Sequence, residues 1–127
     1  MIARYIKAIL MIAGGIMLLV GLQFIAPAQL LHIQNLVVAD SAGLLFARHW
    51  GLLVACLGGL LMYSAFLPAL RTPVIIAVTI EKICLVGVLL GSLNDPALKP
   101  MLPVIALDGL FVIVFLLYLS GKRDPAL

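Results

Sequence analysis

Apolar residues in this chain neither alternate with polar ones nor keep to a narrow helical stripe. They run in long blocks, interrupted at a few polar or proline-rich points, at about residues 5–25, 44–66, 73–93 and 101–119. Each block is close to the roughly 20 residues that a helix needs to cross the hydrocarbon core of a bilayer. Backbone amides in hydrocarbon must be paired within their own segment, and the polar–apolar alternation of barrel strands is absent. The pattern therefore predicts an all-α integral membrane protein, a four-helix transmembrane bundle forming a single domain over residues 1–127.

The interruptions carry further expectations. The first block ends at Pro27, which cannot donate a backbone hydrogen bond. The connection that follows, PAQLLHIQNLVVADSAGLLFA over residues 27–47, is too polar around His32, Gln34, Asn35 and Asp40 for a free span and too apolar for a disordered loop. A short helix lying in the membrane interface between the first two spans fits it best. The turn Leu67 to Thr72 closes the second block, and Pro73 is an acceptable first residue for the third helix. Two prolines and an Asn-Asp pair in 94–100 predict a tight surface turn, and Ser120-Gly121-Lys122-Arg123-Asp124 ends the fourth block. The first block follows Arg4 and Lys7 and is trailed by Ala26-Pro27-Ala28, which raises the alternative of a cleaved signal peptide. Its apolar run is longer than the about 7 to 15 residues usual in such peptides, so the expectation is a retained first span.

Composition sharpens the picture. Hydrophobic residues make up 65% of the chain and charged ones 10%, with a mean hydropathy of +1.31. A soluble domain carries about 25% charged residues, so this chain cannot wet a globular surface and its main partner is the lipid bilayer. The net charge of +3 does not signal nucleic acid, because the basic residues stand singly at the ends of apolar blocks and form no patch. Arg4, Lys7, Arg71, Lys122 and Arg123 fall on one side, Arg48 and Lys99 on the other, which predicts both termini in the cytoplasm; the membrane expected is a bacterial inner one. Cys56 and Cys84 lie inside apolar blocks without a CxxC motif and say nothing about redox compartment.

Ionisable groups inside lipid cost about 2.5–3.5 kcal/mol each, which makes every one a functional candidate. Glu81 and Lys82 fall in the third span, Asp108 in the fourth, and Arg48 with His49 near the start of the second. On a helical rise Glu81 lies about 12 Å into its span from the opposite side, Asp108 about 10 Å into its own, and Arg48 about 6 Å, nearly level with Asp108. An Arg48–Asp108 pair across the bundle is the first structural expectation, with Lys82 reaching toward Asp108 or toward an interface. Arg48, His49, Glu81, Lys82 and Asp108 then form either an internal salt network that fixes helix docking or a ligand site. Glu81 and Asp108 are the candidates for an acid or a proton carrier. His49 and His32 lack companions at metal-ligand spacing, so no metal is expected, and no cofactor motif or phosphate loop is present. Gly51, Ala55, Gly58 and Met62 continue a stripe from Arg48, and Gly14 with Gly21 offers a matching notch on the first span, the small-residue pattern of close helix packing. Asp108, Phe111, Phe115 and Tyr118 share one face, either core or the wall of a greasy cavity.

The stretch Phe46-Ala47-Arg48-His49-Trp50-Gly51, with Gly58 seven residues further on, resembles the Arg-x-x-Gly beginning of the second helix in small DoxX-like four-span bacterial proteins. The first span ending in proline, the semi-apolar connection and the three closely following spans are similar across most of the chain. The resemblance implies a four-helix bundle, and some relatives in that group are small subunits of membrane quinone oxidoreductases. The functional expectation is an accessory or binding protein whose polar cluster docks a partner subunit, a second copy, or the polar end of a quinone- or isoprenoid-like molecule. One alternative is a membrane enzyme, as small as the emopamil-binding isomerases but without their motifs, in which Glu81 or Asp108 acts as acid and Lys82 or Arg48 steadies negative charge. A proton-coupled exporter is the other, yet the small multidrug resistance group carries its key Glu in the first span, and here that span is uncharged between Lys7 and Pro27.

Overall fold

The structure, a computed structural model, describes residues 2–38 and 40–121. Lys122 and Arg123, which entered the charge count, lie outside the described residues. Helix α1 (Ile6–Val20) continues as a 3-10 turn over Gly21–Phe24, and α2 (Pro27–Ile33) follows almost at once. The long helices α3 (Ser41–Phe66), α4 (Pro68–Gly91) and α5 (Leu102–Gly121) complete the chain, with a 3-10 turn at Pro96–Met101 leading into α5. Four segments, Ile6–Phe24, Ser41–Phe66, Pro68–Gly91 and Pro96–Gly121, are long and apolar enough to cross a membrane, and no strand occurs among the described residues. The all-α architecture with four spanning-length helices is thus as the hydropathy pattern predicts, and it is the make-up of a small membrane protein.

The connection after α1 does contain a short helix, and its ends explain themselves. Pro27 sits at the first helical position, where its missing amide is not needed. Asn35 closes the helix in the left-handed region at φ 61°, and the amides of Asn35 and Leu36 donate to the carbonyls of His32 and Leu31 at 3.0 and 2.9 Å. Those two bonds are the Schellman pattern, in which Asn is the usual substitute for glycine.

The third helix begins earlier than expected. Pro68, not Pro73, is its first residue, and the expected turn from Leu67 to Thr72 shrinks to the single extended residue Leu67, leaving Pro73 inside α4. Pro68 has no amide hydrogen to give to the carbonyl of Ser64, four residues back. Arg71 supplies the missing donors: its Nε donates to Ser64 at 3.0 Å and its Nη2 to Ala65 at 2.7 Å. A guanidinium at a helix C-terminus also meets the negative end of the helix dipole. The same end of the bundle carries Lys7, whose Nζ lies 4.6 Å from the centre of the Phe66 ring.

Helices α1 and α3 make the most extensive contact, antiparallel, and glycine makes it possible. A Cβ on Gly14 would come within 2.6 Å of the Gly58 carbonyl oxygen, and one on Gly58 within 2.8 Å of the Gly14 oxygen. Toward the other end, a Cβ on Gly21 would meet that of Ala55 at 2.5 Å, and one on Gly51 the Phe24 nitrogen at 2.6 Å. The stripe read from the sequence is therefore a packing surface from Gly51 to Met62, consistent with the dominance of close contact between helices in lipid. The rest of the core is aliphatic and aromatic: Ile6, Leu10, Ala13 and Met17 from α1 meet Leu61, Ile75, Val78, Phe111 and Phe115. The outer faces are just as apolar, with Ile12, Leu19, Leu60, Val88, Leu110 and Ile113 exposed, a surface suited to acyl chains.

Candidate functional site

Lys82 on α4 and Asp108 on α5 face each other inside the bundle. Lys82 Nζ donates to Asp108 Oδ1 at 2.9 Å, with the two side chains only 5% and 10% exposed. Both reach the interior because their helices turn a buried face inward: Ile75, Val78, Thr79, Lys82 and Leu89 on α4, and Asp108, Phe111, Phe115 and Tyr118 on α5. The shared face of α5 is as the sequence predicts. Phe111, one turn below Asp108, places its ring centre 5.8 Å from Lys82 Nζ, so the ammonium rests between a carboxylate and an aromatic face. Desolvating two charges is costly, and their mutual attraction offsets that cost only while both remain.

The expected Arg48–Asp108 pair does not form. Arg48 and His49 are exposed on α3, and Asp108 is taken by Lys82. Depth alone would allow the pair, since Arg48 stands seven residues into α3 and Asp108 six into α5, about 10 and 9 Å of helix. Direction around the helix decides otherwise, because Arg48 points outward beside Ser41, Leu44 and Leu45, where its long stem carries the charge away from Lys82 and Asp108. The expected five-residue cluster is therefore two residues tightly joined, with Glu81 beside them and Arg48 and His49 apart. Glu81 is half-buried, and its Oε2 is buried without a hydrogen-bond partner. No group of three potential metal ligands occurs among the described residues.

Above the ion pair the helices leave space. An inner chamber of about 70 Å³ is lined by Lys82, Asp108 and Phe111 together with Met17 and Val54. A wider cavity of about 380 Å³ is bounded by Gln23, Leu31, Leu36, Phe46, Leu98 and Met101. Gln34 and Trp50 line both, so they stand where the two spaces meet. The walls are apolar apart from a few polar groups, the usual composition of a small-molecule site. No protein-family model matches this chain, and comparisons with curated proteins and with solved structures also return no match.

Sequence reasoning passed over Gln23, Gln34 and Trp50 as site residues. Gln23 had a visible signal, being the one polar side chain between Lys7 and Pro27. It is 1% exposed, and its Nε2 donates to the Ala47 carbonyl at 2.7 Å, tying the end of the first span to the start of α3. That bond uses the amide's donor side and leaves Oε1 buried without a partner. Gln34 bonds back to the Leu30 carbonyl at 3.2 Å and turns up at the cavity only because the Schellman ending of α2 folds the following segment over the bundle.

Proposed function

We propose that this chain is a small membrane protein that holds a lipophilic molecule among α1, α3, α4 and α5, with the molecule's polar end directed at Lys82 and Asp108. One observation carries the reading: a buried ion pair closes the inner end of an otherwise apolar cavity. A pair that served helix docking alone would need no open space beside it. Trp50 and Gln34 stand at the neck between the wide space and the narrow one, a shape suited to an apolar body with a small polar tip.

In this reading the end of the bundle bearing Lys7 and Arg71 is cytoplasmic, following the positive-inside rule, and α2 lies in the opposite interface as a roof over the cavity. Kinship with DoxX-like proteins belongs to the same proposal, supported by the Arg-x-x-Gly stretch whose Gly51 and Gly58 pack against the first span. An accessory role beside a larger membrane subunit or a second copy is its natural setting. Native mass spectrometry of protein extracted in mild detergent tests the core of it. The expected spectrum carries a lipophilic adduct that is diminished in a variant filling the inner chamber, Val54→Trp. Adducts equally abundant in both, or none at all, would contradict the proposal.

A further inference from the structure

Building on the reading that the cavity holds a lipophilic molecule, we infer that the polar end it accepts is uncharged and bears a hydroxyl group, as in a long-chain or isoprenoid alcohol or a quinol. Charge comes first. Lys82 and Asp108 are the two charged residues lining the inner chamber and neutralise each other at 2.9 Å, and Glu81 beside them does not line it, so its walls offer no net charge to a newcomer. A carboxylate or phosphate entering it would face the Asp108 carboxylate, and an ammonium group would face Lys82, each with little water to screen the repulsion.

Hydrogen-bonding capacity narrows the class further. Asp108 Oδ1 accepts from Lys82, and Oδ2 has no protein donor among the described residues. An ionised carboxylate can only accept, so the occupant must donate to it. Lys82 Nζ spends one proton on Oδ1 and keeps others for an oxygen of the occupant. A hydroxyl satisfies both demands at once, donating to Oδ2 while accepting from Nζ. A quinone or ketone carbonyl accepts only and leaves Oδ2 unmet. The inner chamber, about 70 Å³ against about 380 Å³ outside, suits a head of a few heavy atoms with its chain in the larger space.

Trp50 is the chain's one tryptophan and lines both chambers, so its fluorescence reports occupancy. The intact protein in nanodiscs of zwitterionic lipid is titrated with dodecanol, dodecane, the methyl ketone of equal length, dodecanoate and dodecylammonium. Dodecanol should bind saturably and at least roughly tenfold more tightly than each of the others, the discrimination expected of a hydrogen bond to a charged group. Lys82→Met should shift the preference toward dodecylammonium, and Asp108→Asn toward dodecanoate. Saturable binding with no head preference, or with a charged or carbonyl head favoured by the unaltered protein, overturns the hydroxyl inference while leaving a lipophilic site standing. No saturable response to any chain, dodecane included, removes the underlying reading as well. The unaltered protein decides between these outcomes even if a variant does not fold.

Discussion

The seam between α1 and α3 and the hairpin of α4 and α5 hold their helices together by different means. Along the seam, Gly14, Gly21, Gly51 and Gly58 let backbones approach until no Cβ would fit, and no charge takes part. In the hairpin, α4 and α5 meet through the Lys82–Asp108 ion pair and through the Lys82 ammonium over the Phe111 ring, which stacks on Phe115 of its own helix with centres 6.0 Å apart, and space is left beside them. Lipid supplies little hydrophobic drive between helices, so the seam gains its stability from contact. The hairpin accepts a desolvation cost and carries the only salt bridge among the described residues, while the space beside that pair is walled by all four long helices. Rigidity and chemistry are thus separated within one small bundle.

The largest expected effect breaks the seam. Gly58→Leu places a branched side chain where even a Cβ would lie 2.8 Å from backbone oxygen, and should abolish the folded protein in thermal unfolding monitored by circular dichroism. Gly58→Ala should still cost about 1–3 kcal/mol, the usual cost of overpacking. Next come the charges: Lys82→Met or Asp108→Leu alone should each cost about 3–5 kcal/mol in a steric-trap or denaturant assay, because each strands its partner. Arg71→Met removes two donors from carbonyls that Pro68 leaves short, and should cost about 1–3 kcal/mol without touching ligand binding. The smallest effect belongs to Gly59→Ala and Gly87→Ala, outward-facing positions where a Cβ meets nothing within 4 Å. Better helix propensity should leave stability unchanged or raise it by about 0.5–1 kcal/mol each, and a loss comparable to that of Gly58→Ala would contradict the division between seam and outer surface.

Much of the architecture was legible because membrane helices announce themselves by length and continuous hydropathy. The inward face Asp108, Phe111, Phe115 and Tyr118 and the glycine notches were legible too, since helical spacing alone puts such residues on one side. What was lost depends on neighbours. Pro68 and Pro73 are both acceptable near a helix start, and the choice rests on Arg71 reaching back to Ser64 and Ala65. Arg48 was misplaced because depth along a helix can be counted from sequence, whereas its direction relative to another helix cannot. The cavity itself has no sequence signature, being a partly open space bounded by α2, the segment after it, the first turns of α3 and the turn before α5.

The claim that Asp108 is served by Lys82 and not by Arg48 is tested most directly by two thermodynamic cycles measured on the same protein, pairing Asp108→Leu once with Lys82→Met and once with Arg48→Met. The Lys82 cycle should show a coupling of at least about 3 kcal/mol, with the double variant regaining most of the stability that either single change loses, while the Arg48 cycle stays within about 0.5 kcal/mol of additivity. Strong coupling of Asp108 to Arg48, or independence from Lys82, would contradict the account at its centre.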